Sequence, residues 1–132
     1  MITILCVDDS KKQRLLYEQE LNFAGNEVIT AASGKEALDK VQWLHPDIII
    51  MDINRPDMES LGAIGRIIGK SKRNPIIIHT AHGSHRDTFL SWAVNAYIVK
   101  SPDLTELKSK IEALITEESA FALNEVINTN IF

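Results

Sequence analysis

Five short apolar runs, interleaved with segments of helical spacing, restrict what this chain can fold into more than any other feature. They are "ITILCVD" (2–8), "EVITA" (27–31), "DIIIMD" (47–52), "PIIIHT" (75–80) and "AYIVK" (96–100). The first, third and fourth are nearly continuous in apolar residues, as in strands covered by helices on both faces. Between the runs, apolar residues gather on single helical faces: Ala37, Leu38, Val41 and Leu44, then Leu61, Ile64 and Ile67/Ile68, then Leu104, Leu107, Ile111 and Leu114. Ser10 with Gln13 and Ser33 with Glu36 fit capping boxes that open helices. Gly25 suits a left-handed end to the first helix, and "HPD" (45–47) ends the second, because proline disfavours helix in the residue before it. Five strands alternating with five helices predict a parallel sheet with right-handed crossovers, a doubly wound α/β fold. Within the third helix Gly62, Gly65 and Gly69 each cost about 1 kcal/mol against alanine; close helix–sheet packing or local mobility would account for them.

At 132 residues the chain suits one compact domain with a sizeable core. Residues 1–115 account for the fold, leaving "TEESAFALNEVINTNIF" (116–132) as a C-terminal extension. That extension would lengthen the last helix, pack back on the domain or begin a linker to an output domain. The formal net charge of −4 argues against a nucleic-acid-binding surface, which normally shows a basic stripe. The single cysteine, Cys6, excludes an internal disulfide and a cysteine zinc cage, and its apolar setting predicts a buried, inert thiol. No run reaches the roughly 18 apolar residues of a membrane span. The chain enters its first strand with no basic leader, so the expected compartment is the cytoplasm.

In open parallel α/β sheets, ligands bind outside the carboxyl ends of the strands. Here strand one ends in Asp8-Asp9, strand three in Asp52, strand four in Thr80 and strand five in Lys100. An aspartate at a strand end is, taken alone, usually a cap or turn residue; five such groups at one edge of one sheet are another matter. Three neighbouring carboxylates repel one another and call for a cation. Magnesium, a hard ion held by one or two carboxylates plus waters and phosphate oxygens, suits them best. Calcium would want more protein oxygens from one loop, and zinc would want His or Cys. With that charge shielded, one carboxylate can attack phosphorus. Lys100 would then neutralise the transferred group while the Thr80 hydroxyl hydrogen-bonds one of its oxygens.

The motifs "ILCVDDS", "HPDIIIMDINRPDM", "PIIIHTAH" and "AYIVKS" resemble, in order and spacing, those of response-regulator receiver domains, the phosphoacceptor modules of two-component signalling. The resemblance covers about residues 2–115. It implies a flavodoxin-like sheet of order 2-1-3-4-5. It also makes Asp52 the acceptor of a phosphoryl group from a histidine kinase or phosphotransfer protein. Asp8 and Asp9 become the acidic pair that binds Mg2+, with Asp52 and the Asn54 backbone carbonyl completing the metal's protein ligands. Thr80 and Lys100 are the remaining site residues, and Tyr97 is the aromatic partner of Thr80 in a switch that alters the face of the fourth helix, fifth strand and fifth helix. Asn54 and His82 occupy positions that tune the lifetime of the acyl phosphate. The resemblance further implies a signalling domain with no external metabolite as substrate, no direct contact with nucleic acid or membrane, and a separate output partner or domain.

Several residues depart from the family pattern. Arg55 stands where Met or Leu is usual before Pro56, Ser60 replaces a common glycine, and Ala93-Val94-Asn95 replaces a Gly-Ala-Asp-like lead. Ser101 intervenes between Lys100 and Pro102, where the lysine is usually followed directly by proline. Three other functions compete. His79, His82 and His85 invite a metal site, but strand alternation separates such rings, and His79 is expected to pack under the sheet. A phosphorylation-independent adaptor would keep the fold as a docking module, yet such domains tend to lose an acidic residue or the lysine. An aspartate-nucleophile phosphatase would want a second aspartate where Asn54 stands.

Overall fold

The computed structural model describes residues 2–23, 25–52, 62, 65–67, 69, 74–81, 83 and 94–130. Strand β1 (Thr3–Val7) leads to helix α1 (Lys11–Phe23), β2 (Glu27–Ala31), α2 (Gly34–Leu44) and β3 (Ile48–Met51). Strands β4 (Ile76–Thr80) and β5 (Ala96–Val99) follow, and a C-terminal helix runs from Thr105 to Asn130. Helical backbone is also present at Gly62, at 65–67 and at Gly69, where the third helix is expected. The segment expected to form the fourth helix lies outside the described residues. The strands form one parallel sheet of order β2-β1-β3-β4-β5, the doubly wound sheet the apolar runs imply in the flavodoxin-like order the family resemblance implies.

Alternation of side chains along each strand splits the core in two. Leu5, Val7, Ile49, Met51, Ile76 and Ile78 face one side, where Ala37 and Val41 of α2 and Ile67 cover them. Ile4, Cys6, Ile48, Ile50 and Ile77 face the other, under Tyr17 and Leu21 of α1, Leu104, and Leu107, Ile111 and Leu114 of the C-terminal helix. Burying both faces is why β1, β3 and β4 read as unbroken apolar runs. Cys6 is fully buried, and burial, reinforced by Asp8 and Glu18, pushes its thiol well above the usual range, as an inert cysteine requires.

Helix ends follow local chemistry. Gln13 N–H donates to Ser10 Oγ at 3.3 Å and Glu36 N–H to Ser33 Oγ at 3.2 Å. The return arms of the two boxes differ from expectation. Ser10 N–H donates instead to the charged acceptor Asp8 Oδ1 at 2.9 Å. The Glu36 carboxylate, which also pairs with Lys40, accepts the Ala32 N–H one residue earlier than the motif predicts. Gly25 adopts φ +87°, and His45, held out of the helix by Pro46, adopts φ 46°. Leu44 does not join the buried face of α2; it is 50 % exposed, being the last helical residue, one turn past Val41, where the helix stops. Gly62, Gly65 and Gly69 are exposed, with open space where a Cβ would stand, so close helix–sheet packing does not explain them.

The C-terminal helix continues through residue 115 without a break. Leu114 and the half-buried Ile115 still face the core, while Leu123 and Ile127 further along are exposed. Among the described residues, no helix is long and apolar enough to cross a membrane.

Candidate functional site

Because all five strands run the same way, their carboxyl ends share one rim, and the ladder carries the functional residues one step beyond the strands. Asp8 N–H donates to Ala31 O at 3.0 Å, Asp52 N–H to Val7 O at 2.8 Å and Lys100 N–H to Thr80 O at 2.6 Å. Backbone pairing therefore fixes the roots of Asp8, Asp52 and Lys100 before any side chain interacts.

The side chains then converge. Lys100 Nζ donates to Asp8 Oδ2 at 2.7 Å and to Asp52 Oδ2 at 2.9 Å. The Asp8 and Asp52 side chains are 0 % and 1 % exposed, so these are buried ion pairs. One carboxylate oxygen each from Asp8, Asp9 and Asp52 lies within 4.8 Å of the others. Burial raises the Asp52 carboxyl above its ordinary range, with Asp8 adding to the rise, while the Lys100 ammonium and, less strongly, the Thr80 hydroxyl pull it back in part. Burial works against the Lys100 ammonium, but the hydrogen bonds and charges of Asp8 and Asp52 outweigh it and hold its pKa above the usual value.

Whether a divalent cation fits can be judged from the donor set. Three carboxylates against the Lys100 ammonium leave two negative charges among these groups. The donors are all oxygen, and Oδ1 of Asp52 is buried with no hydrogen-bond partner among the described residues. A buried acceptor left without a donor is costly. Oxygen-only donors with an excess of two negative charges suit a hard divalent ion such as magnesium.

Thr80 is buried at the end of β4, and Tyr97, also buried, pairs across the ladder with Ile78. Strand alternation puts Thr80 and Tyr97 on the same face of the sheet, the arrangement a threonine–aromatic switch needs. Asn54 and His82 lie outside the described residues, as do Arg55, Ser60 and His85. The Lys100–Ser101 bond is trans. Ser101 leads into a turn in which its Oγ donates to Asp103 O, while Thr105 N–H and Oγ1–H donate to Asp103 Oδ1 at 2.9 and 2.6 Å, opening the C-terminal helix. The Ser101 side chain is thus engaged outside the carboxylate cluster.

Two contacts are not visible in the motifs. Arg14 Nη1 donates to the Asp8 carbonyl at 2.9 Å, so α1 grips the site from its first turn. His79 packs under the sheet as expected, but it meets the Tyr17 hydroxyl at 2.5 Å. The helical spacing of Tyr17 and Leu21 marks a buried face, yet nothing in it names a polar partner 62 residues away.

Comparison with known proteins agrees with this geometry. The family described as the response regulator receiver domain matches residues 4–112. The probable transcriptional regulator ycf27 of Cyanophora paradoxa is 36% identical over 114 residues, covering 85% of this chain and 47% of that protein. The chain spans about half the length of the curated relatives it matches. Among solved structures, the response regulator TrrA of Thermotoga maritima, crystallised with Mg(2+)-BeF, is 40% identical, with a TM-score of 0.78 over 86% of this chain and 99% of that one. The same regulator in complex with the histidine kinase ThkA aligns with a TM-score of 0.76 at 40% identity, over 86% and 98%. With the sheet order and the rim of Asp8, Asp9, Asp52, Thr80 and Lys100 in place, these matches establish that the chain belongs to the response-regulator receiver domain family.

Proposed function

We propose that this receiver takes a phosphoryl group onto Asp52 from a histidine kinase or phosphotransfer protein, in a magnesium-dependent reaction, and signals by altering its surface. One observation carries the reading. The Asp52 carboxylate is buried, with one oxygen held by Lys100 and the other without a donor among the described residues, beside two further carboxylates. The kinase-bound and Mg(2+)-BeF-bound structures of TrrA support the partner and the ion.

Asp8, Asp9, Asp52 and the Asn54 carbonyl would hold the magnesium. When bound, the ion supplies positive charge that offsets the carboxylates and the incoming phosphoryl oxygens. Lys100 orients Asp52 through Oδ2, leaving a lone pair on Oδ1 to form the new P–O bond. The bond from phosphorus to the donor's nitrogen or oxygen breaks, and the leaving group keeps that electron pair. Lys100 then neutralises the acyl phosphate, and the Thr80 hydroxyl donates to one of its oxygens. Moving Thr80 toward the site opens space on the face it shares with Tyr97, and a partner that prefers the altered face shifts the population. The domain modifies itself and has no external metabolite as substrate; its expected compartment is the cytoplasm. Asn54 and His82 would set how long the acyl phosphate survives.

The test is incubation with acetyl phosphate, with and without magnesium, followed by intact-mass measurement beside Asp52→Asn. A magnesium-dependent gain of one phosphoryl group that vanishes in the variant is expected. A folded protein that gains nothing under any condition would point to the adaptor instead.

A further inference from the structure

Beneath the site, on the α1 side of the sheet, lies a polar pair that the phosphoacceptor chemistry does not use. Tyr17 and His79 are 0 % and 2 % exposed, and the phenol oxygen lies 2.5 Å from Nδ1, with the rings tilted and their centroids 5.7 Å apart. Burial, with help from Lys100, lowers the His79 pKa to about 4, and burial raises that of Tyr17 above its usual range. At neutral pH a protonated phenol and a neutral imidazole therefore share this hydrogen bond, its direction set by the imidazole tautomer. Two apolar residues would fill this space, but a directional hydrogen bond also fixes the height of one element against the other.

The elements so fixed are those of the site. His79 is followed by Thr80, whose carbonyl accepts the Lys100 N–H at 2.6 Å. At the other end, the start of α1 is bound to Asp8 twice, by the N–H of Ser10 just before it at 2.9 Å and by Arg14 Nη1 at 2.9 Å. Lys100 Nζ closes the circuit on Asp8 and Asp52. We propose that Tyr17 and His79 are positioning residues for phosphoryl transfer: a buried brace between α1 and β4 that sets Thr80 and Lys100 against the carboxylate cluster. The proposal rests on the assignment of Asp52 as phosphoacceptor.

Four variants test it: Tyr17→Phe, His79→Leu, their double, and His79→Asn, which keeps an acceptor close to the place of Nδ1. Below the melting range, Tyr17→Phe and His79→Leu each slow phosphorylation at saturating acetyl phosphate about tenfold, the scale expected of a small misplacement. Magnesium affinity, read by calorimetry, stays within about twofold, because Asp8, Asp9 and Asp52 are untouched. The double variant is no slower than the slower single one, and His79→Asn recovers most of the rate. Without phosphodonor or metal, the backbone amide resonances of Thr80 and Lys100 move in both single variants and return toward wild type in His79→Asn. Wild-type rates, an additive loss of about a hundredfold in the double variant, or unmoved Thr80 and Lys100 resonances would overturn the brace. A wild-type protein that takes up no phosphoryl group would instead overturn the assignment of Asp52, and the resonances alone would then decide the brace.

Discussion

Replacing Lys100 by methionine removes an ammonium that serves both buried carboxylates while keeping most of the side-chain volume. At an effective dielectric constant near 20, each ion pair, at 2.7 and 2.9 Å, has a gross attraction of about 6 kcal/mol. Part of that is spent in desolvating a lysine whose side chain is only 19 % exposed. What remains in the variant is repulsion between Asp8 and Asp52, whose oxygens lie within 4.8 Å, worth about 3.5 kcal/mol on the same scale. Removing one partner of a buried pair typically costs about 3–5 kcal/mol, and the two figures agree. For a domain of this size that lowers the melting temperature by on the order of 10–20 °C. The assay is thermal unfolding of wild type and Lys100→Met in chelator at pH 7.5, repeated with magnesium and at lower pH. The loss should shrink in both repeats, because a cation or a proton relieves the same repulsion. A loss under about 1 kcal/mol, or one indifferent to magnesium and pH, would refute the reasoning, since packing alone would then explain it.

The remaining predictions concern ionisable groups and one apolar anchor. The Asp52 carboxyl is raised by burial, so the folded state binds the extra proton and stability falls as pH rises through its titration; Asp52→Asn should melt higher than wild type at pH 7 in chelator, with the gap closing below about pH 4. His79 behaves in the opposite sense. Its pKa falls from 6.5 to about 4, so the unfolded chain binds the extra proton. Its contribution is complete above pH 6.5 and is lost as pH falls toward 4, to a limit of about 3 kcal/mol. Denaturant titrations at pH 7 and 5 should show that slope in wild type and a flatter one in His79→Phe. Leu107, 1 % exposed between the C-terminal helix and the sheet, should cost about 2–5 kcal/mol as Leu107→Ala in urea unfolding.

Much of this was legible in the sequence because the physics involved is local or periodic. Ile48 to Met51 could only be a strand buried on both faces, and a parallel sheet then had to bring Asp8, Asp52, Thr80 and Lys100 to one edge. Gly25 and the His45–Pro46 step announced helix ends because single residues dictate those conformations. Features that depend on competition between partners were not legible. Ser10 N–H had a choice between the Gln13 side chain and Asp8, two residues before it, and takes the charged acceptor. Leu44 carries the right spacing for the buried face of α2 but stands where the helix stops. The Tyr17–His79 hydrogen bond joins residues 62 positions apart, and Tyr17 belongs to no motif. The departure at Ser101 reads as a disturbance of the site until the turn to Asp103 shows its side chain engaged away from the carboxylates.

The central claim is that Asp52, among the three clustered carboxylates, receives the phosphoryl group. Borohydride reduces an aspartyl phosphate to homoserine at the modified residue, so peptide mapping after acetyl phosphate treatment and borohydride reads the site directly. Homoserine at position 52 in magnesium, absent in chelator and found at no other position, is the predicted result. Homoserine at Asp8 or Asp9, or none from a protein that had gained a phosphoryl group, would contradict it.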